Sequence, residues 1–232
     1  MALILNLETA TTVCSVSLAK DGDLLAYKDL NGNYSHAENL TLFVEDVLKQ
    51  ANINLSEIDA IAVSKGPGSY TGLRIGVSAA KGFCYSLNKP LIAINTLQHL
   101  SLAVSENLTS HISRPNSIFC PMIDARRMEV YCAIFDADNN EIKATSAEII
   151  DETSFSDSLE KNQMIFFGDG SAKCKDVLSQ NKNAIFIDGI VPSAKNMISL
   201  SEKAFINKQF EDVAYFEPFY LKDFVAGKKK GE

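Results

Sequence analysis

Three sets of residues in this chain are of types and spacings that could do chemistry. The first is SKGPGSYTGLRIGVSAAKG, residues 64–82, where an apolar run gives way to glycines and then to helical spacing. A strand, a glycine turn and a helix start together form an anion site, because free N–H groups and the helix dipole face the ligand. Two phosphate-binding signatures are not met. G-x-x-x-x-G-K-[ST] fails because Gly72 is followed by Leu73 and Arg74, and G-x-G-x-x-G fails at Thr71. Two readings stay open: a phosphate cradle of Gly66, Gly68 and Ser69, or a tight turn whose helix is capped by Ser69 or Thr71. The second set is Glu8 and Asp124, each closing an apolar run. Thr9, Thr11 and Thr12 follow the first, and Arg126 and Arg127 follow the second. Such carboxylates suit a metal–phosphate site; a strand-ending turn with surface arginines is the plainer meaning. No second glycine-rich phosphate turn is expected after Asp124. The third set is His36, His99 and His111, none of which has the i, i+4 spacing of a helical metal pair. His36 is expected to cap a helix or sit at the surface. No G-x-S-x-G elbow occurs. The expectation is no catalytic residue and no metal site.

The elements that position these residues come from a chain of 232 residues, 46% hydrophobic, with formal charge −7. That length carries one large domain or two small ones. The acidic surface disfavours unaided binding to nucleic acid. Five cysteines, never in C-x-x-C spacing, argue against a disulfide framework and a zinc site, and suit reduced thiols of a cytoplasmic protein. MALILNLETA reads as a strand rather than a signal peptide, and no apolar run is long enough for a bilayer. The closing Lys228–Lys230 run reads as a solvated tail.

LILNL predicts a buried strand, and Val13–Ala19 alternates into a hairpin at Asp21-Gly22. LLAYKDL continues as a third strand. Ser35 with Glu38 predicts a capped helix over about 36–51. A strand over 58–66, a helix over about 71–87, the strand LIAIN and a helix over about 96–107 follow. The order β-β-β-α-β-α-β-α predicts a mixed sheet in the order 3-2-1-4-5. Both crossover helices should then lie on one face.

The second half starts the same way. With Glu8 aligned to Asp124 without gaps, ILNLE lies over CPMID, VCSVSLA over EVYCAIF and AKDGD over FDADN. The match predicts a duplicated α/β unit, with subdomains over 1–110 and 111–213 and an aromatic tail, 214–232, packing back. The later elements expected are a weak helix near 153–160, a strand QMIFFG, a helix near 171–180, a strand AIFID and a helix over about 193–207.

The helix over 71–87 is small or apolar nearly all round, with Gly72, Gly76, Ala80 and Cys84 every four residues. Such a helix is covered on more than one side. Its neighbour carries Leu42 on an otherwise polar face. The outward residues Leu42, Ile75, Ser78, Ala79, Gly82 and Tyr85 are therefore predicted to form a partner-binding patch.

ILNLETATTVCSVSL, SHAENL, KGPGSYTGLRIGVSAAKG, IDARRMEVY and PFYLK together resemble the bacterial TsaB (YeaZ) family from end to end. The resemblance implies a degenerate actin/sugar-kinase/Hsp70 fold (ribonuclease H-like, duplicated). It implies a non-catalytic subunit that pairs with the paralogue TsaD through the two same-side helices and recruits the ATPase TsaE. The complex would threonylcarbamoylate the adenosine beside the anticodon in tRNAs reading ANN codons. Contact with tRNA would come only through that complex. The chain alone would bind no cofactor, any ATP or ADP would sit at the partner interface, and the isolated chain would self-pair. Glu8, Thr9, Gly66, Gly68, Ser69 and Asp124 would be remnants of a phosphate or nucleotide site. Two departures stand out: Leu7-Glu8-Thr9 replaces the family's Ile-Asp-Thr, and Tyr220-Leu221-Lys222 replaces Tyr-Leu-Arg. The competing readings are an ATP-dependent phosphotransferase of the actin-like class and a glycoprotease-like metallopeptidase.

Overall fold

The computed structural model describes residues 2–32, 36–106 and 117–222. The expected Ser35 cap, His111 and the Lys228–Lys230 run lie outside them. The first sheet contains β1 (Leu3–Glu8), β2 (Val13–Lys20), β3 (Asp23–Asn31), β4 (Ala60–Gly66) and β5 (Leu91–Asn95), in the order β3-β2-β1-β4-β5. β1 runs antiparallel to β2 and parallel to β4. Every residue of β1 is buried. It reads as an unbroken apolar run because both faces of the sheet are covered. Leu3, Leu5 and Leu7 point to one side, where α1 (His36–Ala51) and α2 (Tyr70–Leu87) pack with Phe43, Val47, Val77 and Ala80. The two helices touch each other on that face, as two right-handed crossovers in one direction require.

The second sheet repeats the plan. Its strands are β6 (Ser117–Asp124), β7 (Glu129–Phe135), β8 (Glu141–Ile149), β9 (Gln163–Phe167) and β10 (Ala184–Phe186), in the order β10-β9-β6-β7-β8. Read from β8, this is the strand order of the first sheet. Glu8 and Asp124 are the last residues of β1 and β6, so the fold is the expected duplicated unit with two mixed five-stranded sheets. The third strand of the second copy, β8, was not anticipated, because EIKATSAEI offers no clean alternation of buried and exposed positions. The helices of the second copy are short: α4 (Ser156–Lys161) and α5 (Lys175–Leu178), the latter entered by a 3-10 turn over Ala172–Cys174.

The two halves exchange helices. α3 (Thr96–Ser105) belongs to the first half in sequence, yet its Leu97, Leu100 and Val104 pack with Phe119, Ile123, Ala133 and Phe167 of the second sheet. The 3-10 turn Ala194–Met197 and α6 (Ile198–Ile206) come late in the chain, yet they pack with Ala2, Ile4, Ala60, Ala62, Ile92 and Ile94 of the first. The boundary expected near residue 110, and the assignment of 111–213 to one subdomain, therefore follow chain order but not packing.

The tail has no regular structure between Val213 and Lys222. Val213 and Phe216 pack against the first core. Lys81 Nζ donates to the carbonyls of Ala214 (3.1 Å) and Phe216 (3.0 Å), and Phe219 N donates to Lys65 O (2.7 Å). Tyr220 lies on Tyr70 with ring centroids 4.9 Å apart, and Lys222 pairs with Glu129 of β7. The tail thus runs along α2 and reaches the second sheet.

Candidate functional site: an inter-sheet cleft and an exposed helix pair

β4 ends in Gly66 at φ +112°, a region open to glycine and costly to other residues. Pro67 follows through a cis peptide bond, then Gly68 and Ser69. Ser69 N donates to Ala10 O (2.7 Å), and Ser69 Oγ accepts from Gly72 N (3.3 Å) as the N-cap of α2. The capping reading of Ser69 is therefore realised. After β9 the chain repeats the device: Gly168 at φ +99°, Asp169, Gly170 and Ser171. Gly170 N donates to Met122 O (3.0 Å), so this turn is pinned to β6 much as the first is pinned to the turn after β1. A second glycine turn thus exists after Asp124, contrary to expectation. An ungapped comparison misses it because α4 has six residues where α1 has sixteen.

Glu8 does not face the cleft between the sheets. It is fully buried, as is His99. His99 Nε2 donates to Glu8 Oε2 at 2.6 Å, and Ala10 N donates to Glu8 Oε1 at 2.5 Å. Both carboxylate oxygens are thereby engaged within the protein. Thr9 Oγ1 donates to Gly72 O (2.8 Å), locking the turn after β1 against α2. His36, expected to cap a helix or lie at the surface, is buried, with Nε2 donating to Thr11 O at 2.8 Å. The sequence neighbours of these histidines carry no sign of these long-range partners.

Asp124, the counterpart of Glu8, does reach the cleft, and it is exposed. It pairs with Lys173 and accepts from Arg126 N (2.8 Å). Asp169 Oδ1 accepts from Asp124 N (3.2 Å). Burial holds the Asp169 carboxyl above its usual range, and the Asp124 charge adds to this, against the lowering effect of Asp124's backbone N–H. The cleft has a volume of about 590 Å³ and is lined by Thr12, Ser69, Thr71, Asp124, Arg126 and Tyr220 among others. Of the six remnant-site residues named from the sequence, Gly68, Ser69 and Asp124 line this cleft, and Glu8, Thr9 and Gly66 do not. At its rim, Arg126 (φ 72°) and Arg127 (φ 49°) both occupy the left-handed region.

The second region is the outer side of α1 and α2. Leu42 is 53% exposed and Tyr85 87%. Ser78 and Gly82 are exposed, while Ile75 and Ala79 are half-buried at the edge of the core. A Cβ on Gly82 would meet nothing within 4 Å. On the inner side, a Cβ on Gly72 would lie 2.1 Å from Thr9 O. The glycines of α2 therefore divide into an inner pair, Gly72 and Gly76, pressed on the turn after β1, and an outer one facing open space. The tail borders the patch, holding Arg74 through Tyr220 (Nε to OH, 3.3 Å) and Lys81 through two carbonyls.

Among the described residues no cluster of three His, Cys, Asp or Glu is placed to hold a metal, and no helix is long and apolar enough to cross a membrane. All five cysteines are buried and unpaired. Burial pushes the thiols of Cys14 and Cys174 up to about 11 and that of Cys84 to about 12.

Comparison with known proteins gives a consistent result. A family model described as TsaD: tRNA N6-adenosine threonylcarbamoyltransferase matches residues 32–230. The chain is 31% identical to the tRNA threonylcarbamoyladenosine biosynthesis protein TsaB of Escherichia coli (strain K12), over 97% of each chain. It is 36% identical to the tRNA N6-adenosine threonylcarbamoyltransferase of Staphylococcus haemolyticus (strain JCSC1435), over 40% of this chain and 32% of that one. A crystal structure of an uncharacterized Pseudomonas aeruginosa protein with similarity to peptidase YEAZ shares its fold at TM-score 0.82 and 24% identity. That match covers 96% of this chain and 100% of the other. The chain belongs to the TsaB (YeaZ) family.

Proposed function

From this membership we propose that the chain is a non-catalytic subunit of the machinery that forms threonylcarbamoyladenosine in tRNA. It pairs with TsaD, which performs the transfer, and recruits the ATPase TsaE. The observation that carries the reading is the outer face of α1 and α2: a smooth, adjacent helix pair with Leu42, Gly82 and Tyr85 exposed and no other element of the described chain over it. Small residues at such a face let a partner's helices approach closely, as in a four-helix packing. The partial likeness to a threonylcarbamoyltransferase suits pairing between paralogues. The same face is the surface through which isolated chains would self-pair. The state of Glu8 supports a non-catalytic role. Its carboxylate is spent on His99 and Ala10 N and does not line the cleft, whose carboxylates are Asp124 and Asp169. The chain by itself is read as binding no cofactor, with any ATP or ADP at the partner interface.

Co-purification with TsaD from the same organism tests this. A stoichiometric complex is expected, with tRNA threonylcarbamoylation requiring both chains and this chain alone showing no ATP turnover or peptide cleavage. Full modification by TsaD and TsaE without this chain would refute the reading.

A further inference from the structure

The sequence has four arginines, and two of them, Arg126 and Arg127, are adjacent at the tip of the β6–β7 hairpin. Both are exposed, and both hold a left-handed backbone. Hairpin tips of this kind normally take Asn or Gly, because a side chain at positive φ costs energy. Strained positions of this sort point toward function rather than packing. The turn is well fixed: Arg126 N donates to Asp124 Oδ1 (2.8 Å), Glu129 N to Arg126 O (3.1 Å) and Ala125 N to Glu129 O (3.1 Å).

Two carboxylates beside the tip are already paired with lysines. Asp124 is paired with Lys173 and Glu129 with Lys222. Neither Arg126 nor Arg127 has a side-chain partner among the described residues. Two uncompensated guanidinium groups therefore stand side by side on a chain whose formal charge is −7. A small anion drawn into the cleft would meet Asp124 and Asp169, and only Arg126 of the two lines that cleft. An extended polyanion lying across the hairpin tip would reach both arginines from outside and avoid the carboxylates. We propose that the Arg126–Arg127 turn grips the phosphate backbone of the tRNA, giving this chain a direct contact with the substrate of the complex. This inference rests on the function proposed above. The acidity of the rest of the chain keeps the contact weak in the isolated chain, and the partner subunit strengthens it.

The test assembles the complex with TsaD and measures affinity for an unmodified tRNA transcript across a salt series. Each lost phosphate contact flattens the slope of log K against log salt by about 0.7–0.9. An Arg126→Gln/Arg127→Gln double variant should bind about tenfold or more weakly at 0.15 M salt, with the slope flatter by about 1.5. The Arg126→Lys/Arg127→Lys variant should keep the slope. An Arg126→Gly/Arg127→Gly variant should bind as the Gln variant does without a lower melting temperature, since glycine accepts the backbone. Complex formation should be unchanged throughout, which separates this contact from the partner surface. If the complex does not form even with the parent chain, the function reading fails. Retention of tRNA by the isolated chain at low salt, parent against Gln variant, then still decides the contact. Equal affinity and slope for parent and Gln variant would overturn the proposal. So would saturable binding of pyrophosphate that depends on Arg126 while tRNA binding does not.

Discussion

Gly82→Glu puts the partner surface to a quantitative test. The position is open: a Cβ there has no neighbour within 4 Å, so the substitution meets no steric barrier inside the monomer. It also replaces a glycine in the interior of α2, which spans Tyr70–Leu87, and glycine in a helix interior costs about 1 kcal/mol relative to Ala. The monomer should therefore melt no lower than the parent. At a close helix–helix interface, the same carboxylate would be buried without a partner. That costs about 3–5 kcal/mol, or roughly two to four decades in affinity at about 1.4 kcal/mol per decade. Calorimetric titration against TsaD gives the affinity, a thermal melt reports the fold, and the extent of tRNA threonylcarbamoylation gives the consequence. Ala79→Arg should behave alike, though its half-buried start leaves less room. A folded Gly82→Glu protein that binds TsaD as tightly as the parent would place the interface elsewhere and refute the reasoning from the helix face.

The glycines of α2 should respond with opposite signs. Gly72→Ala places a Cβ 2.1 Å from Thr9 O and should destabilise by about 1–3 kcal/mol or more, whereas Gly82→Ala should stabilise by up to about 1 kcal/mol; melts of the same sign would contradict the division into inner and outer faces. Glu8→Ala strips the hydrogen-bond partner from buried His99 and from Ala10 N and should lower stability by about 1–3 kcal/mol or more; an unchanged denaturation midpoint would show that the pair carries no structural weight. Stability should fall on the alkaline side, between about pH 9 and 12. There the thiols of the unfolded chain ionise near the usual 9.0, while burial holds Cys84 protonated to about 12 and Cys14 and Cys174 to about 11. The unfolded state then binds fewer protons, so ΔG of unfolding decreases as pH rises. A Cys84→Ala variant should lose less stability than the parent over that window in chemical denaturation, and equal losses would count against the buried-thiol origin.

The first sheet was legible because each of its signals is local. The apolar run of β1, the Asp21-Gly22 hairpin and the spacing of Leu40, Phe43, Val44 and Val47 each report their own element, and the right-handed rule joins them. The duplication was legible because Glu8 and Asp124 keep the same offset to the strands that follow them. What was missed depends on partners distant in sequence. His99 lies 91 residues from Glu8, and His36 lies 25 from Thr11. Nothing near either histidine marks it as buried. Glu8 looks like a cleft residue because its strand end matches that of Asp124; its carboxylate instead meets His99 of α3 and Ala10 N. The turn Gly168-Asp169-Gly170-Ser171 resembles Gly66-Pro67-Gly68-Ser69 in sequence. It escaped notice because the shortened helix α4 breaks the register of the comparison. Of the six residues expected to face outward on α1 and α2, Leu42, Ser78, Gly82 and Tyr85 are exposed, while Ile75 and Ala79 pack at the edge of the core, a contact that periodicity alone does not reveal.

The exchange of helices between the halves bears on how the protein is made. While the first hundred or so residues leave the ribosome, the face of the first sheet bearing Ile4, Ala60, Ala62 and Ile92 has nothing to cover it. Its cover, Ala194, Met197 and Ala204, is synthesised only after the whole second sheet. α3 meanwhile presents Leu97 and Leu100 for a sheet that has not yet been translated. Each half packs one face of its sheet with its own helices, but the other face waits for the exchanged helix, so the nascent chain carries sticky surface until the later elements have been translated. Such intermediates are prone to aggregate and slow to mature. Expression of residues 1–106 alone should yield insoluble or chaperone-bound material rather than a working half.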